Sequence, residues 1–320
     1  MSIEVMSLEE MRNYQGTNPR PGDFDSFWEE ETEQLNIWDP QPSLVASSVR
    51  FLSAECFDLY FRGTDHAKIH AKYIRPREYK GRLPVIFLFH GYTGDSGDWW
   101  DKLSWVQQGF AVAALDCRGQ AGLSQDLGQV NGTTYLGHIV RGLMDGPKQL
   151  LYRKIFVDTA LLVKVVKSMP EIDSCRMAVH GGSQGGALSL VCAALVPEIK
   201  KAAVLYPFLS DYKRVYDLNC AGSAYQELTP FFRAHDPLHE KEFEFFERLG
   251  YIDVQNFTPH IRADVLWAAA LRDEACPPST QFAAYNHLTS SKEMVLYPDF
   301  GHEGLPGYMD RCFQFMEELL

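Results

Sequence analysis

Six short apolar runs punctuate the chain: Pro84–Phe89 (PVIFLF), Phe110–Leu115 (FAVAAL), Met177–Val179 (MAV), Ala202–Leu205 (AAVL), Val265–Leu271 (VLWAAAL) and Met294–Tyr297 (MVLY). Each is unbroken rather than alternating with polar residues, the pattern of strands buried on both faces of a parallel sheet. Helix-like stretches such as Phe156–Lys167 and Ala187–Leu195 lie between them. Strand and helix alternate, which predicts an α/β protein with a mostly parallel central sheet flanked by helices. Ahead of these runs, Val49–Tyr60 and Lys68–Ile74 read as an antiparallel pair around the turn Arg62-Gly63-Thr64-Asp65.

Two stretches stand outside the alternation. Residues 1–45 are polar and acidic, with aromatics at Phe24, Phe27, Trp28 and Trp38, and are expected to form an N-terminal helical extension packed on the core. Residues 209–260 mix aromatics and charges (YKRVYDL, FFRAH, FEFFERLGY) without a buried strand, as expected of a helical insertion over the sheet edge. Such an insertion serves as a lid or substrate wall, or simply packs. Without repeats, low-complexity tracts or Gly/Ser-rich linkers, the whole span 1–320 reads as one domain.

Charge and composition narrow the possible partners. A net charge of −12 argues against nucleic acid or an anionic membrane, both of which repel it. Seven cysteines, an odd number with no metal-type spacing and several inside apolar runs, read as free thiols. The N-terminal sequence lacks the pattern of a secretory leader, and no apolar run approaches the roughly 18 residues that span a membrane. The expected location is the cytoplasm, where the acceptor-like Asn131-Gly132-Thr133 would never meet glycosylation machinery.

The sharpest chemical signal is His180-Gly181-Gly182-Ser183-Gln184-Gly185-Gly186, a G-x-S-x-G motif between an apolar strand and a helix. This is the context of a nucleophile elbow, where a tight strand-to-helix turn exposes the serine and needs small neighbours, here Gly181 and Gly185. In that architecture an acid and then a histidine follow the serine. His302 lies just after the last apolar run and is the candidate base; His287 falls in a helix-like segment. Asp273, after Val265–Leu271, is the candidate acid, with Glu274 as local rival. The backbone N–H groups of Gln184 and Tyr92, the latter in the loop His90-Gly91-Tyr92, are the expected oxyanion donors. His180 is expected to pack beneath the elbow. His235 and His239 lack the spacing of a zinc motif, and no phosphate-binding G-x-x-x-x-G-K-[ST] is present, so neither metal nor cofactor is expected.

These residues, with Arg118-Gly119-Gln120 and the pair His302-Glu303, resemble the acetyl xylan esterases and cephalosporin C deacetylases of carbohydrate esterase family seven, within the α/β-hydrolase superfamily. Arg272–Leu288, YQGTNPRPGDFDSFW near the N-terminus and residues 137–158 are similar to that family too. The resemblance implies an esterase that releases acetate from short xylo-oligosaccharides and from the acetoxymethyl group of cephalosporins. It implies an intracellular homohexamer, Ser183, Asp273 and His302 as triad, and Tyr92 and Gln184 as oxyanion donors. It also implies structural support from Arg118, Gly119, Gln120 and Glu303. The expected partner is a small acetylated saccharide or other small acetyl ester. Glu274, Cys276 and residues 209–236 depart from the family pattern and leave substrate preference open. Two alternatives stand beside this reading: a serine hydrolase of prolyl-oligopeptidase type, and a hydrolase-like binding protein without catalysis.

Overall fold

The computed structural model describes residues 5–128, 130, 137–219 and 224–320. The Asn131-Gly132-Thr133 tripeptide and Cys220 lie outside them. In chain order the elements are α1 (Leu8–Asn13), α2 (Phe24–Ile37), β1 (Ser43–Ala46), β2 (Ala54–Arg62), β3 (Lys68–Pro76), β4 (Leu83–Phe89), α3 (Leu103–Gln107) and β5 (Ala111–Leu115). Then follow α4 (Leu151–Lys167), β6 (Ile172–Gly182), α5 (Gln184–Leu195), β7 (Lys201–Leu205), α6 (Tyr212–Asp217), α7 (Leu228–His235) and α8 (Glu242–Leu249). The chain closes with β8 (Asp264–Ala270), α9 (Pro278–Asn286), β9 (Lys292–Tyr297) and α10 (Tyr308–Met316).

The strands form one sheet in the order β1-β2-β3-β5-β4-β6-β7-β8-β9. Pairing from β5 through β9 is parallel, and β1, β2 and β3 add an antiparallel flank. The apolar runs end up as strands because both faces of the sheet are covered. Val85, Phe87 and Phe89 of β4 face the core under α4 and α5, while Ile86 faces the opposite core under α3 and α10. Ala111, Ala113 and Leu115 of β5 divide from Val112 in the same way, the two-residue alternation of a pleated strand. The chain passes from β4 out to β5 and back to β6 on the other side. A crevice therefore opens beside the carboxyl end of β4, where open α/β sheets place their ligands.

Two segments differ from the pattern in the sequence. Residues 43–46, the first three of which the sequence leaves in the helical extension, form β1 and pair with β2 from Ser43↔Tyr60 to Ala46↔Phe57. All four are exposed, so no apolar periodicity marks them. The strand expected from Val49 begins only at Ala54, because residues 47–53 make the return from β1. The aromatics of α2 pack on the core: Trp28 lies 4.9 Å from Phe257 and 6.1 Å from Phe156 of α4, with Phe24 beside them. The described parts of 209–260 hold α6, α7, α8 and short 3₁₀ turns, with no strand.

Candidate active site

Ser183 sits at the turn between β6 and α5 with φ 55° and ψ −122°. A serine with positive φ is strained and persists only where its surroundings fix it. The Ser183 N–H donates to the Leu205 carbonyl at 2.9 Å, and its own carbonyl accepts from Ala187 and Phe208. The glycines permit the crossing. A Cβ on Gly185 would fall 1.9 Å from the Phe89 carbonyl oxygen, and one on Gly181 would fall 2.4 Å from the Gly185 backbone. His180 packs below, its Nδ1 2.9 Å from the Ala203 carbonyl and its ring near Tyr308.

Asp273 and His302 meet across the loops that follow β8 and β9. Asp273 Oδ1 accepts the N–H groups of Ala275 and Cys276 at 2.9 and 2.8 Å, which fixes the carboxylate. Its Oδ2 lies 2.8 Å from His302 Nδ1. A carboxylate only accepts, so Nδ1 carries the proton and Nε2 is left as acceptor. Backbone bonds from Leu271 to Tyr297 and from Arg272 to Phe300 hold the two loops in register. Glu274, the rival acid, is exposed. Glu303 turns back on its own loop and accepts from the Gly301 N–H at 3.1 Å. The Tyr206 ring lies 4.4 Å from that of His302.

Cys276 is buried, with Sγ 4.0 Å from Ser183 Oγ. Among the described residues no hydrogen bond joins Ser183 to His302, an arm that often tightens only with substrate bound. Asp273, Cys276 and His302 also bring one metal-type ligand atom each within 4.8 Å of one another. The Asp273–His302 hydrogen bond accounts for two of these, and burial pushes the Cys276 thiol well up.

Gln184 follows the serine directly, and Tyr92 lies in the loop after β4, the strand paired with β6. Neither backbone N–H has an acceptor among the described residues. Gln184, the first residue of α5, is fully buried, and its side chain accepts from Tyr152 Oη at 2.9 Å and Gln120 Nε2 at 2.7 Å. Gln120 Oε1 in turn accepts the Thr93 N–H at 2.8 Å. Arg118 makes a two-pronged ion pair with Asp158 of α4, both arms 2.7 Å and both residues buried. Gly119, at φ 72°, offers its carbonyl to His138 Nε2 at 2.6 Å. The Arg118-Gly119-Gln120 segment is thus anchored to a core helix at one end and bonds Gln184 and Thr93, the neighbour of Tyr92, at the other.

Several residues here carry no sequence signal of their own. His90 Nε2 accepts the Cys117 N–H at 3.0 Å, tying the loop after β4 to the loop after β5. Burial lowers the His90 pKa, in keeping with that neutral, accepting nitrogen. His138 Nδ1 meets Tyr92 Oη at 3.1 Å. Glu227, just before α7, accepts from Ile139 and Val140 N–H, and burial raises its carboxyl to about 8 against the pull of those donors. Tyr206, Glu227 and His138 are scattered along the chain, and no local motif groups them.

The reversal of strand order beside β4 and the turn on which Ser183 rides place this chain in the α/β-hydrolase fold. Its kinship is narrower than that. The acetyl xylan esterase (AXE1) family matches residues 1–319, and the chain belongs to that family of carboxylic ester hydrolases. It is 52% identical to acetyl xylan esterase 1 from Thermoanaerobacterium sp. JW/SL YS485, covering 98% of this chain and 99% of that one, with a TM-score of 0.96. The acetyl xylan esterase from Paenibacillus sp. R4 is 35% identical over 98% of this chain and all of its own, with a TM-score of 0.93. Acetyl esterase Axe7A from Xylanibacter ruminicola is 26% identical over 87% of this chain, which spans 62% of that relative's length.

Proposed function

We propose that this protein is a serine esterase that removes acetyl groups from short xylo-oligosaccharides and related small molecules, cephalosporin C among them. The observation that carries the reading is the Asp273–His302 pair at 2.8 Å, set beside a strained Ser183. The two acetyl xylan esterases described above supply the acetyl group as the expected acyl part.

His302 Nε2 takes the Ser183 proton as Oγ attacks the acetyl carbonyl. Asp273 holds the imidazole in the required tautomer and stabilises the imidazolium. The N–H groups of Tyr92 and Gln184 receive the oxyanion, each worth about 3–4 kcal/mol at the transition state. His302 then gives its proton to the departing sugar oxygen, leaving an acetyl ester on Ser183. Water, deprotonated by the same imidazole, attacks that ester, and acetate and the free serine result. No step calls on a metal or cofactor.

Acetate release from acetylated xylo-oligosaccharides, cephalosporin C and p-nitrophenyl esters of two to eight carbons tests this, with Ser183→Ala alongside. Turnover confined to acetyl and other very short esters, and lost in the variant, is the expected result. Preference for long acyl chains, or activity indifferent to Ser183, sinks the reading. The six described cysteines are free thiols, which supports a cytoplasmic location. A homohexamer follows from the family resemblance, and light scattering on the purified protein tests it.

A further inference from the structure

Three segments far apart in sequence converge behind the candidate oxyanion loop. Tyr92 follows β4, Gly119 follows β5, and His138 precedes α4. The His138 ring lies between the first two, with Nδ1 3.1 Å from Tyr92 Oη and Nε2 2.6 Å from the Gly119 carbonyl. A carbonyl only accepts, so Nε2 carries the proton and Nδ1 accepts from the tyrosine hydroxyl. Burial keeps the imidazole neutral by lowering its pKa, and keeps Tyr92 protonated by raising its pKa, as this pattern requires. The two bonds have fixed direction and cannot exchange roles.

His138 is itself held from outside the sheet. Glu227 is almost wholly buried and accepts the backbone N–H groups of the next two residues, Ile139 at 2.8 Å and Val140 at 3.3 Å. There is no room for slack: a Cβ on Gly137 would fall 2.4 Å from Glu227 Oε1 and 2.7 Å from Tyr92 Oη. Glu227 belongs to the helical insertion between β7 and β8, which packs around Phe231, Phe232 and Phe246 and is also bonded to the rest of the chain through Asp211 and Arg248.

We propose that His138, clamped by Glu227, is a positioning residue for acyl transfer: it sets the distance between the Tyr92 loop and the Arg118-Gly119-Gln120 loop, and so the aim of the oxyanion donors. The insertion then has a catalytic consequence without touching substrate. This rests on the esterase reading above. An oxyanion hole acts on the transition state and not on the bound ester, so its misalignment lowers kcat and leaves KM in place.

The test is a cycle on the full-length protein: His138→Phe, Tyr92→Phe and the double variant, with His138→Gln and Glu227→Gln beside them. All are assayed on p-nitrophenyl acetate with KM and kcat separated, and melting temperature is recorded. His138→Phe and Tyr92→Phe each break the Oη–Nδ1 bond, so each lowers kcat by about tenfold to a hundredfold, with KM within about threefold. The double variant is no worse than His138→Phe, because Tyr92→Phe removes only a bond that His138→Phe has already removed. His138→Gln retains an N–H for the Gly119 carbonyl and recovers part of the loss; Glu227→Gln lowers kcat without moving KM. Should His138→Phe fail to fold, Tyr92→Phe and His138→Gln give the same readout. Unchanged kcat in folded variants, additive losses, or losses confined to KM overturn the proposal while wild-type turnover stands. Wild-type protein without Ser183-dependent turnover overturns the esterase reading, and this proposal with it.

Discussion

The side-chain amides of Gln120 and Gln184 face each other, with Gln120 Nε2 donating to Gln184 Oε1 at 2.7 Å and Gln184 Nε2 returning to Gln120 Oε1 at 3.1 Å. Gln184 Nε2 also lies 3.3 Å from the His90 carbonyl. One glutamine from the loop after β5 and one from the elbow thus lock together, and the loop after β4 is bonded to both. Gln120→Ala is expected to lower kcat by about tenfold to a hundredfold with little change in KM. Gln120→Glu is expected to do worse, because it sets a carboxylate oxygen against Gln184 Oε1. Steady-state kinetics on an acetyl ester check both.

Asp273 and Glu274 are adjacent carboxylates with different surroundings. Asp273 is buried and bonded to His302 and two backbone N–H groups, while Glu274 faces solvent. Asp273→Asn is expected to reduce kcat by roughly 10⁴-fold by favouring the wrong imidazole tautomer. Glu274→Gln is expected to stay within about twofold, as surface changes commonly do. Comparable losses in the two variants would reassign the acid.

Arg118 and Asp158 form a two-pronged ion pair with both side chains out of water. Removing one partner leaves the other charge buried and unpaired, at a cost of about 3–5 kcal/mol. Arg118→Met and Asp158→Asn should each lower the melting temperature by several degrees or more, read by thermal unfolding followed with circular dichroism. Arg118→Met together with Asp158→Leu should recover part of the loss, since both charges then leave the core.

His70 carries a pH dependence of stability. Burial alone would lower its pKa, but Asp116 at 2.6 Å and Asp58 at 2.9 Å outweigh burial and raise it. A histidine whose folded pKa lies above its unfolded value of about 6.5 stabilises fully below that pH and loses the contribution as pH rises through the folded value. Asp116 also accepts from Ser96 and Leu123 N–H, so the charge supports the loops on either side of Arg118-Gly119-Gln120. The melting-temperature gap between wild type and His70→Gln should be widest below pH 6.5 and narrow at alkaline pH. A gap independent of pH would mean that His70 is neutral throughout.

Gly181 and Gly185 tolerate no side chain. Ala at 185 would press a methyl group to 1.9 Å from the Phe89 carbonyl, which is backbone and cannot yield cheaply. Gly185→Ala is expected to give inactive or insoluble protein, whereas Gly304→Ala, where a Cβ meets nothing within 4 Å, should leave expression and folding unchanged. Soluble yield and circular dichroism separate the two.

The six apolar runs and the elbow were legible in the chain because they rest on local rules. An unbroken apolar run needs a sheet covered on both faces, and a strained serine turn needs glycine two residues either side. The order of serine, Asp273 and His302 follows from the order of the strands, so the Asp273–His302 contact could be anticipated without distances. The sequence already favours Asp273 over Glu274; what the structure adds is that Asp273 is buried against His302 while Glu274 is exposed. β1 was hidden for the opposite reason, as an exposed edge strand needs no apolar pattern.

What only the tertiary structure decided is the bracing behind the site. Tyr92, Gly119, His138 and Glu227 are separated by tens of residues and meet through single hydrogen bonds. Such bonds impose no periodicity on the sequence and can be made by many residue types. The hydrophobic effect, proportional to apolar area and indifferent to direction, wrote its pattern along the chain. Directional bonds between distant loops did not, because their geometry exists only once the sheet has brought the carboxyl ends of β4, β5 and β6 side by side.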